Sequence, residues 1–316
     1  MESKKIISTK SLVFLLGLQL LFTAKISMAG ELEDIYSGKQ YLGTEVCKTC
    51  HHDISVHWAH TTHAKIFIQN PRDELEARGC EACHGPGSQH ISNPADLKGI
   101  VRFSHKSGFP VKILNASCLQ CHMGGNRINW TSSAHDNHKL ACSDCHDPMA
   151  NFSSNGLLIG NGINETCFNC HQEQRSQFRR RSHMPLLEGK INCTDCHNPH
   201  GSVTKALLKT DTVNQTCYQC HAEKRGPFLF EHAPVQENCL NCHTPHGSNH
   251  EKLLVTARPM LCQQCHTNID HMNELFTRGN LATGSQPDVR LMGRSCQNCH
   301  TQIHGSNHPS GPKLHR

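Results

Sequence analysis

The 316-residue sequence has few of the residues that build an ordinary protein interior. Hydrophobic residues, with cysteine counted, are 36% of the chain and aromatic residues are 5%, so a core made of side chains alone would be thin. No alternation of apolar and polar residues is long enough to predict a strand. An excess of one charge is also lacking, since 31 Lys and Arg accompany 26 Asp and Glu. This balance argues against a disordered tail and against a nucleic-acid partner.

The first 29 residues have the pattern of a cleaved secretion signal. Three lysines precede an apolar run at residues 12–22, and Ser27 and Ala29 offer small side chains at the two positions that signal peptidase reads. The run is about half the length that spans a bilayer. An N-terminal anchor helix is the alternative. We predict cleavage after Ala29, which leaves residues 30–316 as the mature chain.

Cysteine is abundant, and its arrangement is regular. All 20 cysteines fall into ten Cys-x-x-Cys motifs, and a histidine follows every motif. Disulfide frameworks, zinc sites and redox dithiols do not require a histidine at one fixed offset. Covalent haem c attachment does, because two thiols bond to the porphyrin edge and the adjacent imidazole ligates the iron. The predicted attachment residues are Cys47, Cys50, Cys80, Cys83, Cys118, Cys121, Cys142, Cys145, Cys167, Cys170, Cys193, Cys196, Cys217, Cys220, Cys239, Cys242, Cys262, Cys265, Cys296 and Cys299. The predicted proximal iron ligands are His51, His84, His122, His146, His171, His197, His221, His243, His266 and His300.

The ten motifs group into five pairs that begin near residues 47, 118, 167, 217 and 262. Each pair has an attachment motif, a free histidine, a second motif and one further candidate ligand soon after it. Of the 27 histidines, ten are proximal, so the remaining 17 exceed what ten irons need, and the repeat selects among them. The predicted distal ligands are His63, His90, His135, Met149, His183, His200, His232, His246, His271 and His304.

Some of these ligands are too close to a proximal histidine to serve the same iron. His200 lies three residues after His197, and His246 lies three residues after His243. Two residues so near in sequence cannot reach opposite faces of one flat macrocycle. We therefore expect each to ligate a different, neighbouring haem.

The second pair departs from the others. Its second motif is followed by Met149, where the third and fourth pairs have His200 and His246. A thioether ligand stabilises reduced iron and raises the potential of the haem. Two interpretations stay open: Met149 is a ligand, or the nearby His138 replaces it and Met149 only packs.

Ten porphyrins would supply most of the buried apolar surface of such a chain. We expect a multihaem cytochrome c fold, mostly coil with short α-helices wrapped around an elongated row of ten haems and little or no β-structure. A cap at Asn70, a proline at position 71 and Gly79 as a stop predict one helix, and residues 53–69 a second. The mature chain would consist of five dihaem repeats, or of two pentahaem halves at about residues 30–180 and 181–316.

Haems with both axial positions filled leave no iron site for a substrate, which favours electron relay over catalysis. No Cys-x-x-Cys-Lys motif is present. A multihaem reductase with one open haem is the enzymatic alternative.

Four longer stretches resemble one known family: CEACHGPGSQH from residue 80, CTDCHNPHGS from 193, CYQCHAEKRGPFLFEHAP from 217 and RSCQNCHTQIHGSNHPSG from 294. The chain is similar here to the periplasmic decahaem cytochromes of outer-membrane porin–cytochrome conduits, the MtrA, MtoA, PioA and DmsE family. Members are described as largely bis-histidine, so Met149 departs from the family pattern.

The resemblance implies a periplasmic protein that carries electrons across the outer membrane inside a β-barrel porin. It also implies exchange with a periplasmic cytochrome or an inner-membrane quinol-linked cytochrome, and with an extracellular multihaem cytochrome, a terminal reductase, or iron or another metal. A freely diffusing periplasmic shuttle is the alternative. The cluster Arg175, Arg179, Arg180 and Arg181 would pair with haem propionates, dock on a partner, or form a solvated helix face.

Overall fold

The computed structural model describes residues 32–150, 156–266, 296–309 and 311–315. The predicted signal peptide and the candidate ligand His271 lie outside the described residues. The chain forms two compact units, Met1–Thr166 (the first unit) and Cys167–Arg316 (the second unit). Four attachment motifs fall in the first unit and six in the second, so the boundary lies immediately before the third pair of motifs.

Helices are short, and the described ranges contain no β-strand, only isolated bridges. This agrees with the predicted fold class. The α-helices after the helical residues 32–36 are Thr44–Lys48 (α1), His52–Trp58 (α2), Thr62–Ala64 (α3), Glu74–Ala77 (α4), Cys80–His84 (α5), Ser88–Ser92 (α6), Val111–Leu119 (α7), Ala134–Asn137 (α8), Ile163–Phe168 (α9), Gln172–Gln177 (α10), Cys193–Cys196 (α11), Val213–Tyr218 (α12), Ala233–Glu237 (α13) and Met260–Gln263 (α14). A π-helix spans Lys65–Gln69. Three-residue 3₁₀ turns are His105–Ser107, Gly125–Arg127, Cys142–Asp144, Lys205–Leu207, Ala222–Lys224, Cys239–Asn241, Glu251–Leu253, Cys296–Asn298 and Gly311–Lys313.

Both helices predicted from sequence differ from those in the structure. The first begins at Glu74, because Asp73 rather than Asn70 is the cap and accepts a hydrogen bond from the Glu76 N–H at 2.8 Å. The second is divided, since Thr61 is extended and caps a new helix through the Ala64 N–H. Local caps with strong side-chain acceptors thus determined where these helices begin.

The first unit has an apolar core of its own. Helix α7 supplies its centre, with Ile113, Leu114 and Ala116 buried among residues from the chain before and after it. Leu114 is 1% exposed and packs in a cluster with Val101 and Ala141. These contacts hold the segments around the first four motifs together without any cofactor.

A buried carboxylate also stabilises the first unit. Glu81, 2% exposed, lies inside the second attachment motif. Its oxygens accept hydrogen bonds from the backbone N–H groups of Leu42, Gly43 and Gly87 at 2.8–3.0 Å. A buried carboxylate is retained at low cost only when such donors surround it.

The second unit is built from repeated turns around its motifs. One apolar cluster of buried side chains is formed by Phe168, Phe178 and Leu186. Successive pairs are joined by two-bond backbone bridges, Ser182 with Ser248 and Phe230 with Ser306. Among the described residues, no helix combines the length and hydropathy needed to cross a membrane.

Candidate haem sites

The two attachment motifs of each pair meet at their first cysteines. The two thiols lie near enough to each other in all five pairs that each first-motif thiol has a pKa raised in part by its partner. The contacts join Cys47 to Cys80, Cys118 to Cys142, Cys167 to Cys193, Cys217 to Cys239, and Cys262 to Cys296. The five pairs predicted from spacing are therefore also pairs in space.

The second cysteines link one pair to the next. The second cysteine of a second motif lies close to the second cysteine of the following first motif. These links join Cys83 to Cys121, Cys196 to Cys220, and Cys242 to Cys265. Attachment sites consequently follow one another without a break from the first to the fourth motif in the first unit, and from the fifth to the tenth in the second unit.

An asparagine joins the two motifs of a pair. Asn115 accepts a hydrogen bond from the Cys142 N–H at 2.8 Å and donates to the Leu140 carbonyl at 3.0 Å. Asn214 accepts from the Cys239 N–H at 2.8 Å and donates to the Val235 carbonyl at 2.9 Å. Each asparagine lies three residues before the first cysteine of its pair. Sequence reasoning did not identify this role, although the repetition of Asn-x-Ser/Thr-Cys at residues 115–118, 164–167 and 214–217 was a signal for it.

The proximal histidines of the second motifs are oriented by the backbone. In all five, Nδ1–H donates to a carbonyl oxygen 2.5–2.8 Å away, which leaves Nε2 as the atom for a metal. The donor–acceptor pairs are His84 with Val101, His146 with Gly156, His197 with Ala206, His243 with Lys252, and His300 with Lys313.

Five proximal histidines face a predicted distal histidine across a constant gap. With metal–nitrogen bonds of about 2 Å, two imidazoles on opposite sides of one iron have ring centres roughly 6 Å apart. The observed ring centres are 6.1–6.2 Å apart. The facing rings are His51 and His90, His122 and His63, His197 and His246, His266 and His232, and His243 and His304.

Four of the five pairings connect different motif pairs, and His63 facing His122 is one of them. His246 faces His197 and His304 faces His243, so a residue after one second motif reaches the preceding second motif. His232 faces His266, so a free histidine reaches the following first motif. The sequence placed ligands on neighbouring haems, but it did not specify which neighbours.

Burial lowers the pKa of the five distal histidines that face a proximal one, which favours their neutral form. It lowers the pKa of His63 and His246, and it lowers the pKa of His304 to about 4, with Lys224 adding to the effect. A neutral imidazole has the free lone pair that a metal requires. The spacing and protonation of these side chains fit haem iron.

Other predicted ligands have different surroundings. His183 donates from Nδ1 to the Arg180 carbonyl at 2.7 Å, and its Nε2 lies 3.0 Å from a Glu188 oxygen. The Glu188 carboxylate and this carbonyl raise the pKa of His183. His300 lies against His315, with ring centres 4.5 Å apart, which is too close for ligands of one iron.

The arginine cluster contacts the chain itself. Arg180 donates to the Gly247 carbonyl at 3.3 Å, and Arg181 forms an ion pair with Glu251 at 3.5 Å. Arg175 lies 5.9 Å from the centre of the Phe168 ring. At least part of the cluster thus stabilises the second unit.

Repeated Cys-x-x-Cys-His motifs and facing imidazoles define a multihaem c-type cytochrome, an electron carrier with covalently bound haem c. Family models agree with this class. The doubled CXXCH motif family matches residues 135–176, 183–226 and 232–271, and the NrfB-like cytochrome c-type protein family matches residues 80–154. Each doubled-motif match contains the second motif of one pair and the first motif of the following pair. Pairing by these matches and pairing by spacing therefore describe one continuous repeat.

The chain belongs to the family of the multihaem cytochrome MtrA. It is 41% identical to "Multiheme cytochrome MtrA" of Shewanella baltica (strain OS185) over 251 residues, which cover 79% of this chain and 74% of the relative. It is 30% identical to "Cytochrome c-type protein NrfB" of Escherichia coli O6:H1 over 147 residues, which cover 45% of this chain and 73% of that protein.

Proposed function

We propose that this cytochrome carries electrons across the outer membrane, between periplasmic redox proteins and a donor or acceptor outside the cell. Each of the ten motifs holds one haem c, with the motif histidine on one face of the iron and a repeat-placed side chain on the other. The outer partner is iron, another metal, or an extracellular multihaem cytochrome or terminal reductase. The inner partner is a periplasmic cytochrome or an inner-membrane quinol-linked cytochrome.

The succession of attachment sites carries this proposal. First cysteines meet within pairs and second cysteines meet between pairs, which provides neighbours for haems one to four and five to ten. Haems attached in such an order pass electrons step by step along the chain. Filled axial positions keep substrates away from the irons and restrict the chemistry to electron transfer.

A membrane-crossing role requires a second protein. Each haem has two propionates, and burying their charges in hydrocarbon is costly. A β-barrel porin around the cytochrome would separate these charges from the lipid. We further propose that the signal at residues 1–29 is removed after Ala29 and that the mature protein is periplasmic and bound to the outer membrane through this barrel.

Reconstitution tests the proposal directly. The haem-loaded cytochrome and its porin are inserted into vesicles that enclose a reduced viologen-type dye, and ferric citrate is added outside. We expect the dye to be oxidised only when both proteins are present. Porin alone and cytochrome alone are the first two controls.

Two matched variants show whether electrons use the row. His246→Ala removes an imidazole that faces His197, whereas His60→Ala removes an exposed histidine outside the predicted ligand set. We expect slower dye oxidation for the first variant and an unchanged rate for the second. No oxidation by a fully haem-loaded complex contradicts the proposal, and recovery of the native cytochrome free of any outer-membrane barrel favours a diffusing shuttle.

A further inference from the structure

Met149 lies in a loop whose described parts, residues 146–150 and 156–158, share backbone features with the loops presenting His200 and His246. In each loop the proximal histidine forms a bridge with a leucine, and the residue before this leucine has a positive φ of 56–59°. Positive φ is rare for a residue with a side chain, so its recurrence shows that the three loops close in the same way. The bridges are His146 with Leu158, His197 with Leu208, and His243 with Leu254.

The turn before the candidate ligand is also repeated. The Asp147 carboxylate accepts a hydrogen bond from the Met149 N–H at 2.9 Å, and the Asn198 side chain accepts one from the His200 N–H at 3.2 Å. A proline occupies the intervening position in both turns. Met149 is consequently presented at the same place in its loop as His200.

Residues that follow later second motifs show which proximal histidine a side chain at this place in the repeat faces. His246 faces His197, and His304 faces His243, each at 6.2 Å between ring centres. In both cases the partner is the proximal histidine of the second motif in the preceding pair. The corresponding partner of Met149 is His84.

The packing of Met149 agrees with this relation. Its half-buried side chain packs against a cluster that contains Trp58, Phe67 and Ala82, and Ala82 lies between Cys80 and Cys83. His138, the alternative ligand considered from sequence, is exposed at the end of α8. The loop that contains Met149 lies about 65 residues after His84 in the sequence. It thus brings a thioether next to the second attachment motif.

The His84 ring is oriented to bind an iron that takes a second ligand on its opposite face. Its Nδ1–H donates to the Val101 carbonyl at 2.8 Å, so Nε2 is the metal-binding atom. Its ring contacts Phe103, at 5.3 Å between ring centres.

We propose that Met149 is the second axial ligand of the haem attached through Cys80 and Cys83, opposite His84. Thioether sulfur stabilises reduced iron, so this haem has a higher potential than bis-histidine haems in the row. The second position from the N-terminal end of the row then retains an electron longer than its neighbours do. The inference rests on the haem attachment proposed above and not on transfer across a membrane.

Absorption spectroscopy of the full-length oxidised holoprotein tests the ligand. Sulfur ligation gives ferric haem a weak far-red band, and we expect this band at an intensity of one haem in ten. Met149→Leu keeps an apolar side chain and should abolish the band, while Met149→His should abolish it and lower the potential of one haem. Met184→Leu is the matched control, because Met184 packs against the Phe168 cluster, and it should leave the band unchanged.

A structure of the haem-loaded chain tests the assignment to one iron. We expect the Met149 sulfur bonded to the iron of the Cys80–Cys83 haem. Sulfur bonded to the Cys142–Cys145 haem, a histidine opposite His84, or a far-red band that is absent or survives in Met149→Leu overturns the proposal. Failure of the vesicle experiment alone leaves these spectroscopic and structural results unchanged, so the two proposals fail separately.

Discussion

The two units of the molecule differ in what fills them. In the first unit, helix α7 takes part in the apolar clusters of Ile113 and Leu114, and a separate cluster surrounds Trp58. In the second unit, the apolar cluster of the described residues is that of Phe168, Phe178 and Leu186. Six of the ten attachment motifs nevertheless lie in the second unit. Among the described residues the second unit thus combines more attachment motifs with fewer apolar clusters, and we expect it to depend on haem more than the first unit does.

Loss of one haem should produce the largest difference between the units. We expect Cys193→Ser with Cys196→Ser to expose residues 167–316 to limited proteolysis, because little peptide core remains when a haem is removed. The matched pair Cys80→Ser with Cys83→Ser should leave the first unit more resistant, since its apolar clusters persist. Mass spectrometry of the fragments measures both. Equal sensitivity of the two units would contradict the comparison.

A cavity in the peptide core should act on the first unit. Leu114 is 1% exposed, and Leu114→Ala should destabilise the holoprotein by about 2–5 kcal/mol through lost burial and the cavity left behind. Val203→Ala in the second unit, at a side chain 85% exposed, should change stability by less than about 0.5 kcal/mol. Thermal unfolding gives both values. A destabilisation below about 1 kcal/mol for Leu114→Ala would show that haem dominates the first unit as well.

Removal of the asparagine between two motifs compares one interaction in both units. Asn115→Ala and Asn214→Ala each leave a cysteine N–H without its acceptor, at a cost of about 1–3 kcal/mol. We expect faster amide exchange near Cys239 than near Cys142, because fewer apolar contacts oppose local opening in the second unit. Hydrogen exchange read by mass spectrometry decides this. Faster exchange near Cys142 would reverse the order of the two units.

We expect the smallest change in stability from a substitution on the surface of the second unit. Arg181 and Glu251 are exposed and 3.5 Å apart, so Arg181→Ala should cost about 0.2–1 kcal/mol at low salt and less at high salt. Melting temperatures at two ionic strengths measure the difference. A large, salt-independent loss would mean that the arginine contacts a buried group such as a propionate.

The attachment motifs and the short helices of this protein could be predicted from the sequence. The spacing of cysteine and histidine predicted short helices without strands, because attachment motifs occur too often for long regular elements, and the described residues confirm this. Helix boundaries were less predictable. Asp73 competes with Asn70 as the cap of the first helix, and a cap at Thr61 competes with one continuous second helix. Only the folded chain shows which alternative is used.

The sequence by itself determined the type and number of attachment motifs and the repeat that relates them, since these depend only on covalent spacing. The tertiary structure decided which histidine faces which, that Asn115 and Asn214 join neighbouring motifs, and that the Met149 loop closes with the same bridge as the His246 loop. The reason is physical: two ligands of one iron must stand on opposite sides of a flat ring. Residues adjacent in sequence cannot do so, and folding must supply a partner from a more distant part of the chain.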